Sequence, residues 1–599
     1  MRLSAAKTAA LLGVGVFAVY AALAARDMTF GDGPELTAAA VTNGVVHPPG
    51  YPLWILLGHL ATFLPIGTLP FRVNLTACAY HALAVAIVFL TAFVLTRGVV
   101  PALFAALLLA IGSPLFVSWS LQAEVFSLND LFAAAIVLLC VLWLEHPRRW
   151  RFVVPLGALF GLGLANHQSL LLLAPLPIYA AWCGRSSIPV DRRTFAVTGL
   201  AAALFLLGFA LPYAHTLVVS QRLTGWHMGA ARSLPELVDV IDRRVFGTFN
   251  LVPNAVDRGA TFFERVVATV GSGGWPYAAI CLGLLDLQLG RRYRELVLAG
   301  LVIALPLLAF CAVAGIDVTD ESLRAIFARF GLMPLTALAP FAACGGVLLE
   351  NLAKRFRLPA AAADGVLGAL VALSALALPS LSLAHAHAPR NLVRDIARAL
   401  PERAILMTAG DSVDGTFPYF QSLEGLRPDV TTITYGLLNL RAYREALAQE
   451  ITVPEAVGLN FAPQARRDLL VRANRGRPFY TVGERGIHAP GPLYYPSVIG
   501  IVSRMTAQRA HVDLARRYAE ETALEHSPGY AQVSADRWLT NGFGSTVREY
   551  YAGGFFSTGA DAERLSKIPD AIHWYERARA YSSDPLIELQ LQRLHAAHD

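Results

Sequence analysis

Long apolar runs separated by short, arginine-rich turns are the feature that most restricts the fold of this chain. The runs fill most of residues 9–384, and many approach the roughly 20 residues that a helix needs to cross a bilayer. Charged residues make up 15% of the chain, against about 25% in an average soluble domain. The sequence therefore predicts a mainly α, polytopic membrane protein with about 11 transmembrane helices.

The positions of the basic residues predict an orientation. Arginine clusters follow apolar runs at residues 148–151, 291–294 and 354–357, and such clusters stay on the cytoplasmic side. We expect a multi-pass protein of the cell inner membrane, with a cytoplasmic N terminus and with the first loop and C-terminal domain periplasmic or external. The first apolar run also fits a cleaved signal peptide, but further spans follow it, which favours an uncleaved helix. The net charge of +6 is explained by these turns and indicates no nucleic-acid partner.

The composition changes after residue 384. Runs at 405–408, 430–434 and 477–482 predict strands, with helical patterns between them. Residues 385–565 therefore predict an external α/β domain, and residues 566–599 predict a helix pair that resembles one tetratricopeptide unit. Residues 1–384 form the predicted transmembrane domain, whose first external loop is 26–52.

Motif content narrows the classes of function. We find no P-loop, dinucleotide fingerprint, HExxH or credible GxSxG motif, which disfavours ATP-driven and hydrolase functions. The six cysteines lie in or beside apolar segments without CxxC spacing, so neither a disulfide framework nor a zinc site is expected. They are Cys78, Cys140, Cys183, Cys281, Cys311 and Cys344.

The first external loop holds the main candidate site, in residues 31–52, GDGPELTAAAVTNGVVHPPGYP. Its Gly and Pro content excludes a continuous membrane helix. If Pro34 begins a helix, Asp32 lies just outside its N-terminus, where free N–H groups stabilise a carboxylate. An acidic residue beside a span is costly and usually functional. Asp32 is thus the candidate catalytic acid or base, with Glu35 beside it, and helix capping is the alternative. The HPPGYP turn supplies His47 and Tyr51 as candidate substrate contacts.

Four further residues are candidate substrate contacts. Glu124, in the predicted loop WSLQAEVFSLND with Asp130, is a metal ligand, a second substrate contact or a solvated carboxylate. We expect Asn166 and His167, in GLGLANHQS, either to bind a sugar or a lipid phosphate or only to form hydrogen bonds with backbone groups at helix ends. Arg329 stands at the external start of a span. There it binds an anionic phosphate or extends to lipid head groups.

Several of these motifs together resemble one membrane family. The stretch GDGPELTAAAVTNGVVHPPGYPLWILLGHL, followed by FRVNLTACAYHALAV, SLQAEVFSLNDLF, GLGLANHQSLLLLAP and ILMTAGDSVDGTFPYFQSLEGLRPDVTTI, is similar to a bacterial member of the plexin-type protein O-mannosyltransferase-like family. The resemblance implies a GT-C glycosyltransferase fold. It also implies a polyprenyl-phosphate sugar as donor and an essential acidic residue in the first external loop, here Asp32 with Glu35 beside it.

The function expected from this resemblance is transfer of a hexose, most simply mannose, to an external acceptor such as Ser or Thr of a protein. The lipid bilayer is the expected environment. No cofactor is indicated with certainty, and a divalent metal is left open. The alternatives are a transporter or flippase of a lipid-linked sugar, which predicts charged residues inside spans, and a non-enzymatic envelope assembly protein.

Overall fold

A computed structural model describes residues 2–222, 226, 228–244, 261–319, 321–458, 462–483, 490–491, 493–507, 513–530 and 543–596. The chain forms two compact units. The first comprises Met1–Arg26 and Ala39–His385, and the second comprises Asp27–Ala38 and Ala386–Asp599. The second unit is therefore discontinuous in sequence, because a segment of the predicted first loop belongs to it. The long apolar helices lie in the first unit.

The regular elements of three or more residues that the structure describes in the first unit are all helices. Pro and Gly set many of its helix ends, as at Pro52, Pro114 and Pro175, where proline supplies a fixed φ for the first turn. The helices are α1 Arg2–Leu23, α2 Gly33–Thr42 (which begins in the second unit), α3 Pro52–Thr62, α4 Leu69–Thr96, α5 Val99–Gly112, α6 Pro114–Ser120, α7 Val125–Glu145, α8 Val153–Leu164, α9 Pro175–Gly184, α10 Arg192–Ser220, α11 Leu234–Ile241, α12 Phe262–Gly273, α13 Trp275–Leu289, α14 Tyr293–Val302, α15 Phe310–Val313, α16 Glu321–Ala328, α17 Leu332–Leu338, α18 Ala342–Arg355 and α19 Ala360–Ala375.

The predicted class, a mainly α polytopic membrane protein, is confirmed. In the described part of the chain, seven helices are long and apolar enough to cross a membrane, or nine if each of two bent helix pairs is one span. The sequence prediction of about 11 also counted residues 152–164 and 169–182. In the structure the first forms a short apolar helix, Trp150–Leu164, and the second is broken into a 3-10 turn, Gln168–Leu173, followed by α9.

Hydrogen bonds of buried polar side chains on α4 connect this helix to its neighbours in the first unit. The Asn74 amide of α4 donates to the Ala25 carbonyl at 2.9 Å, and its oxygen accepts from the Ala123 N–H at 2.8 Å. Two turns further along α4, a fully buried His81 lies 2.7 Å from Ser120 Oγ and 3.1 Å from Asp130 Oδ2. These bonds join α4 to α6 and α7, and they hold the backbone on both sides of residue 124.

The second unit contains a five-stranded sheet with strand order β2-β1-β3-β5-β4. Strands β2, β1 and β3 are parallel, and β5 and β4 continue the sheet as an antiparallel pair. The three predicted strands correspond to β1, β2 and β3. The elements are α20 Ala388–Ala399, β1 Ile405–Ala409, α21 Thr416–Glu424, β2 Thr431–Thr434, α22 Arg441–Leu447, α23 Pro463–Ala473, β3 Phe479–Gly483, β4 Tyr495–Ile499, β5 Val502–Thr506, α24 Leu514–Glu525, α25 Phe543–Arg564, α26 Ile568–Arg579 and α27 Pro585–Ala596.

Two apolar cores stabilise this second unit. Ile405, Met407, Ile433 and Phe479 from three neighbouring strands form one of them, and the helices beside the sheet cover it. The other joins α25, α26 and α27 around the buried ring of Trp574. The predicted C-terminal helix pair thus corresponds to α26 and α27, which pack on the preceding helix α25.

Candidate active site

Asp32 is the one residue between positions 27 and 40 that is not buried, and the structure describes all fourteen of them. It directly precedes α2, and its carbonyl accepts the N–H of Leu36 at 2.9 Å. Glu35 lies in the first turn of α2 and is 7% exposed. The N–H groups of a first helical turn favour negative charge beside them. The segment therefore presents one carboxylate at a helix N-terminus, a suitable acceptor for a proton from a hydroxyl group.

The HPPGYP turn in the first unit brings His47 and Tyr51 together. The Gly50 N–H donates to the His47 carbonyl at 2.9 Å, and both Gly50 and Tyr51 have positive φ. Glycine adopts that conformation without strain, whereas tyrosine rarely does. The turn leaves the Tyr51 hydroxyl 3.4 Å from His47 Nε2. The tight backbone thus fixes both side chains on one side of the turn.

His167 extends this pair into an aromatic group. Its ring stacks on Tyr51 with centroids 5.8 Å apart, and the rings of Phe126 and Phe330 lie 4.9 and 6.0 Å from it. His167 Nδ1 accepts the backbone N–H of Ser169 at 3.2 Å. A neutral imidazole bonded in this way carries its proton on Nε2. His167 is therefore held by its backbone neighbour on one side and by aromatic rings on the other.

Glu124 and Arg329 form a buried ion pair in the first unit. Arg329 Nη1 donates to Glu124 Oε1 at 3.1 Å, and the two side chains are 10% and 2% exposed. The guanidinium carbon also lies 5.4 Å from the centre of the Phe126 ring. Glu124 is the N-cap residue of α7 and its side chain accepts the Val125 N–H. The prediction of a solvated loop carboxylate for Glu124 is therefore wrong, because packing and the ion pair enclose it.

Asn166 reaches the same short stretch of α7. Its amide donates to the Val125 carbonyl at 3.1 Å, and the residue is 1% exposed. In this position the side chain satisfies a backbone group at the start of a helix, which was one of the two roles expected for it. Its role in binding a sugar or a phosphate stays a prediction.

The structure thus connects six of the eight predicted site residues through contacts within the first unit. They are His47, Tyr51, Glu124, Asn166, His167 and Arg329. The other two, Asp32 and Glu35, belong to the second unit. Among the described residues, no group of three or more His, Cys, Asp or Glu side chains is arranged to hold a metal ion.

Sequence reasoning missed several residues that shape this cluster. Phe126 and Phe330 lie close in sequence to the predicted residues Glu124 and Arg329. An aromatic residue near a charged residue at the start of a span is the sequence pattern that could have predicted their contact with the site. Asn74 and His81 are polar residues in an apolar run, seven positions apart, so they share one helix face. Asp130, read as a loop residue, lies in α7 and is fully buried.

Comparison with known proteins identifies relatives of the chain. Residues 32–187 match a family model described as the Protein O-mannosyl-transferase TMEM260 N-terminal domain. The Protein O-mannosyl-transferase TMEM260 of Mus musculus is 28% identical over 470 residues, which are 73% of this chain and 65% of the relative. The Protein O-mannosyl-transferase tmem260 of Dictyostelium discoideum is 22% identical over 530 residues, 79% of this chain and 63% of the relative. The chain spans less than two thirds of the length of these curated relatives.

A solved structure supports the fold. The crystal structure of ArnT from Cupriavidus metallidurans bound to undecaprenyl phosphate superposes with a TM-score of 0.53, covering 84% of this chain and 99% of that chain at 13% identity. At this identity the likeness concerns the fold alone. The expected GT-C fold and the resemblance to the plexin-type family are confirmed, and a bacterial origin stays a prediction. The matched family model, the curated relatives and the fold agree: this chain is similar to the TMEM260 protein O-mannosyl-transferases and has a GT-C membrane fold.

Proposed function

We propose that this protein is a membrane glycosyltransferase that moves a hexose, mannose, from a polyprenyl-phosphate sugar to a Ser or Thr hydroxyl of an external protein. The observation that carries the proposal is Asp32, the one residue of an otherwise buried segment that retains exposure, placed at a helix N-terminus. The names of the two curated relatives support the reaction class, and the lipid in the ArnT structure supports the donor class.

The proposed reaction is an inverting transfer with Asp32 as general base. The Asp32 carboxylate takes the proton of the acceptor hydroxyl while that oxygen bonds to the anomeric carbon. The bond between the anomeric carbon and the phosphate oxygen breaks, and the polyprenyl phosphate leaves with the electron pair. Glu35 is the second proposed catalytic residue, and it orients Asp32 or the acceptor. A base must come within hydrogen-bond reach of the proton it removes.

The first-unit cluster has the chemistry for the sugar and the phosphate. Arg329 is the proposed phosphate contact, since a guanidinium pairs well with phosphate oxygens. Its ion pair with Glu124 fixes the direction of the guanidinium. His47 and His167 are proposed to bind sugar or phosphate oxygens, with Tyr51 and Asn166 as further contacts. Aromatic rings beside them are suited to pack on the apolar face of a sugar.

One observation favours a second candidate, a carrier of lipid-linked sugars. Transporters are expected to hold charged residues inside spans and to use broken helices. His81 Nε2 lies 3.1 Å from Asp130 Oδ2, so two buried titratable side chains meet within apolar helices, and two helix pairs are bent by 69° and 100°. A carrier would move the lipid-linked sugar between leaflets of a vesicle without forming a glycosylated protein. That difference in product separates the two functions.

The test is sugar transfer by the full chain, purified in detergent, from polyprenyl-phosphate mannose to a pool of secreted proteins. We expect wild-type protein to label the pool and Asp32→Asn to lower the rate by about 100-fold or more, because a general base contributes about 10²–10⁴-fold. Asp364→Asn, at an exposed position on α19, is the matched control.

Two results would contradict the proposal. Transfer by Asp32→Asn at the wild-type rate would remove Asp32 as the base. No transfer by the wild-type protein, combined with movement of the lipid-linked sugar across vesicle membranes, would favour the carrier. Folding of each variant is checked by its elution as a single species in detergent.

A further inference from the structure

An arginine from the C-terminal part of the chain holds the start of the segment that carries Asp32. Arg390 Nε donates to Asp27 Oδ2 at 2.5 Å and Nη2 donates to Oδ1 at 2.9 Å. The same guanidinium donates to both oxygens of Glu424 and lies over the ring of Phe420. Two-point contacts of this kind fix geometry as well as charge. All four residues belong to the second unit, so this arrangement is internal to it.

The protonation state of Asp27 agrees with this arrangement. Burial by itself raises the pKa of the Asp27 carboxyl, but the hydrogen bonds and charge of Arg390 bring that pKa below its ordinary value. Asp27 is therefore ionised at neutral pH and accepts both guanidinium N–H groups. His387 Nδ1 adds a further contact to Asp27 Oδ2 at 3.3 Å.

Two other contacts hold the segment on either side of Asp32. Gly415, next to the start of α21, is so close to α2 that a Cβ there would lie 3.3 Å from the Glu35 nitrogen. Gly31, with φ of +85°, would place a Cβ 3.1 Å from the ring of Phe543, the first residue of α25. The contacts come from three separate elements, α20, α21 and α25. They meet the segment at positions 27, 31 and 35.

We infer that the C-terminal domain, residues 386–599, positions the proposed base, and that Arg390 is the positioning residue, acting through Asp27. The inference rests on the proposed function. Asp27 to Gly31 are buried, so their fixed backbone determines where the Asp32 carboxylate stands. A displacement of about 1 Å in such a group can lower a rate by about 100-fold. This gives the C-terminal domain a role in the reaction itself.

The experiment uses the full chain in detergent and the variants Arg390→Met, Arg390→Lys and Asp27→Asn. For each we measure kcat and KM with polyprenyl-phosphate mannose and the amide hydrogen exchange of residues 27–42. Arg390→Met is expected to lower kcat by about 10- to 100-fold with little change in the donor KM. It is also expected to speed exchange at residues 27–42 but not in β1 and β3. Lysine keeps the positive charge but cannot donate two parallel hydrogen bonds to a carboxylate, so kcat and exchange of Arg390→Lys should lie between those of the wild type and Arg390→Met.

The variant Arg441→Met is the matched control, because Arg441 is 83% exposed and pairs with Glu445 on the surface of the same unit. It should leave kcat and exchange unchanged. The double variant Asp27→Asn with Arg390→Met should be no slower than Arg390→Met, since both changes remove one interaction.

Two results would overturn the inference. One is wild-type kcat and exchange in Arg390→Met. The other is faster exchange throughout β1 and β3 as well, which would make Arg390 a general stabilising residue. If the wild-type protein transfers no mannose, the exchange measurement still decides whether Arg390 holds the segment. Fast amide exchange of Arg390→Met confined to residues 27–42 would then support the role of Arg390 in holding this segment, although the proposed function would have failed.

Discussion

Replacement of Arg329 by methionine tests the buried ion pair at the centre of the first-unit cluster. The two charged atoms are 3.1 Å apart, which corresponds to about 5 kcal/mol of attraction at an effective dielectric constant of about 20. Methionine keeps the apolar stem but leaves the Glu124 carboxylate buried without this cation. Loss of one partner from a buried pair costs about 3–5 kcal/mol. We therefore expect Arg329→Met to lose about 3–5 kcal/mol of unfolding free energy.

The assay is SDS-induced unfolding of the full chain in mixed detergent micelles. Because the double variant Glu124→Gln with Arg329→Met buries no charge at either position, it should be more stable than Arg329→Met alone. The control is Arg97→Met. Arg97 directly follows α4 and pairs with Glu145 at the C-terminal end of α7, and the two side chains are 52% and 22% exposed. Exposed pairs contribute about 0–1 kcal/mol, so this change should be small.

The reasoning would be refuted if Arg329→Met unfolded at the same SDS concentration as the wild-type protein. It would also be refuted if the double variant were less stable than both single variants. In either case the ion pair would not be what stabilises this region, and the direction of the Arg329 guanidinium would have to be set by its aromatic neighbours.

Two further predictions concern buried polar groups. Burial raises the pKa of Glu521 from 4.5 to about 7, so its contribution to stability is present below pH 4.5 and is lost as the pH rises through 7. The loss amounts to about 3 kcal/mol, and thermal unfolding should show Glu521→Gln gaining stability relative to wild type between pH 5 and 8. A constant difference over that range would contradict this. Asn74→Ala leaves two buried backbone groups without their side-chain partner, at about 1–3 kcal/mol each, measurable by SDS titration. Wild-type stability in that variant would show that other groups satisfy this backbone.

Local pattern was enough to predict the helical membrane part and the strands. The apolar runs that end at the arginine clusters 148–151 and 354–357 correspond to the candidate spans Val125–Glu145 and Leu323–Arg355, because length and hydropathy decide whether a helix can cross a bilayer. The β-branched run at residues 430–434 corresponds to β2 for an equally local reason. The short pair at residues 152–182 is different, because the 3-10 turn Gln168–Leu173 precedes α9, which begins only at Pro175, so neither run forms a full span.

Contacts between residues far apart in the chain could not be predicted from local sequence patterns. Glu124 and Arg329 were each predicted as site residues, but they are 205 positions apart and only the packing of their helices makes them partners. Asp27 and Arg390, 363 positions apart, were not predicted at all. Asp130 was read as a loop residue because the WSLQAEVFSLND stretch is polar. The helix begins at Val125, which places Asp130 in its second turn.

The discontinuity of the second unit has a consequence for biogenesis. The segment Asp27–Ala38 emerges from the ribosome early, but Arg390, Gly415 and Phe543, which contact it, are made hundreds of residues later. Until those residues are made, the segment lacks these contacts, and incomplete chains are prone to misassembly. A nascent chain stopped before residue 390 would hold every span through α19 and yet lack Arg390, the cation that binds Asp27. Completion of translation, rather than insertion into the membrane, is then the step at which the segment Asp27–Ala38 acquires these contacts.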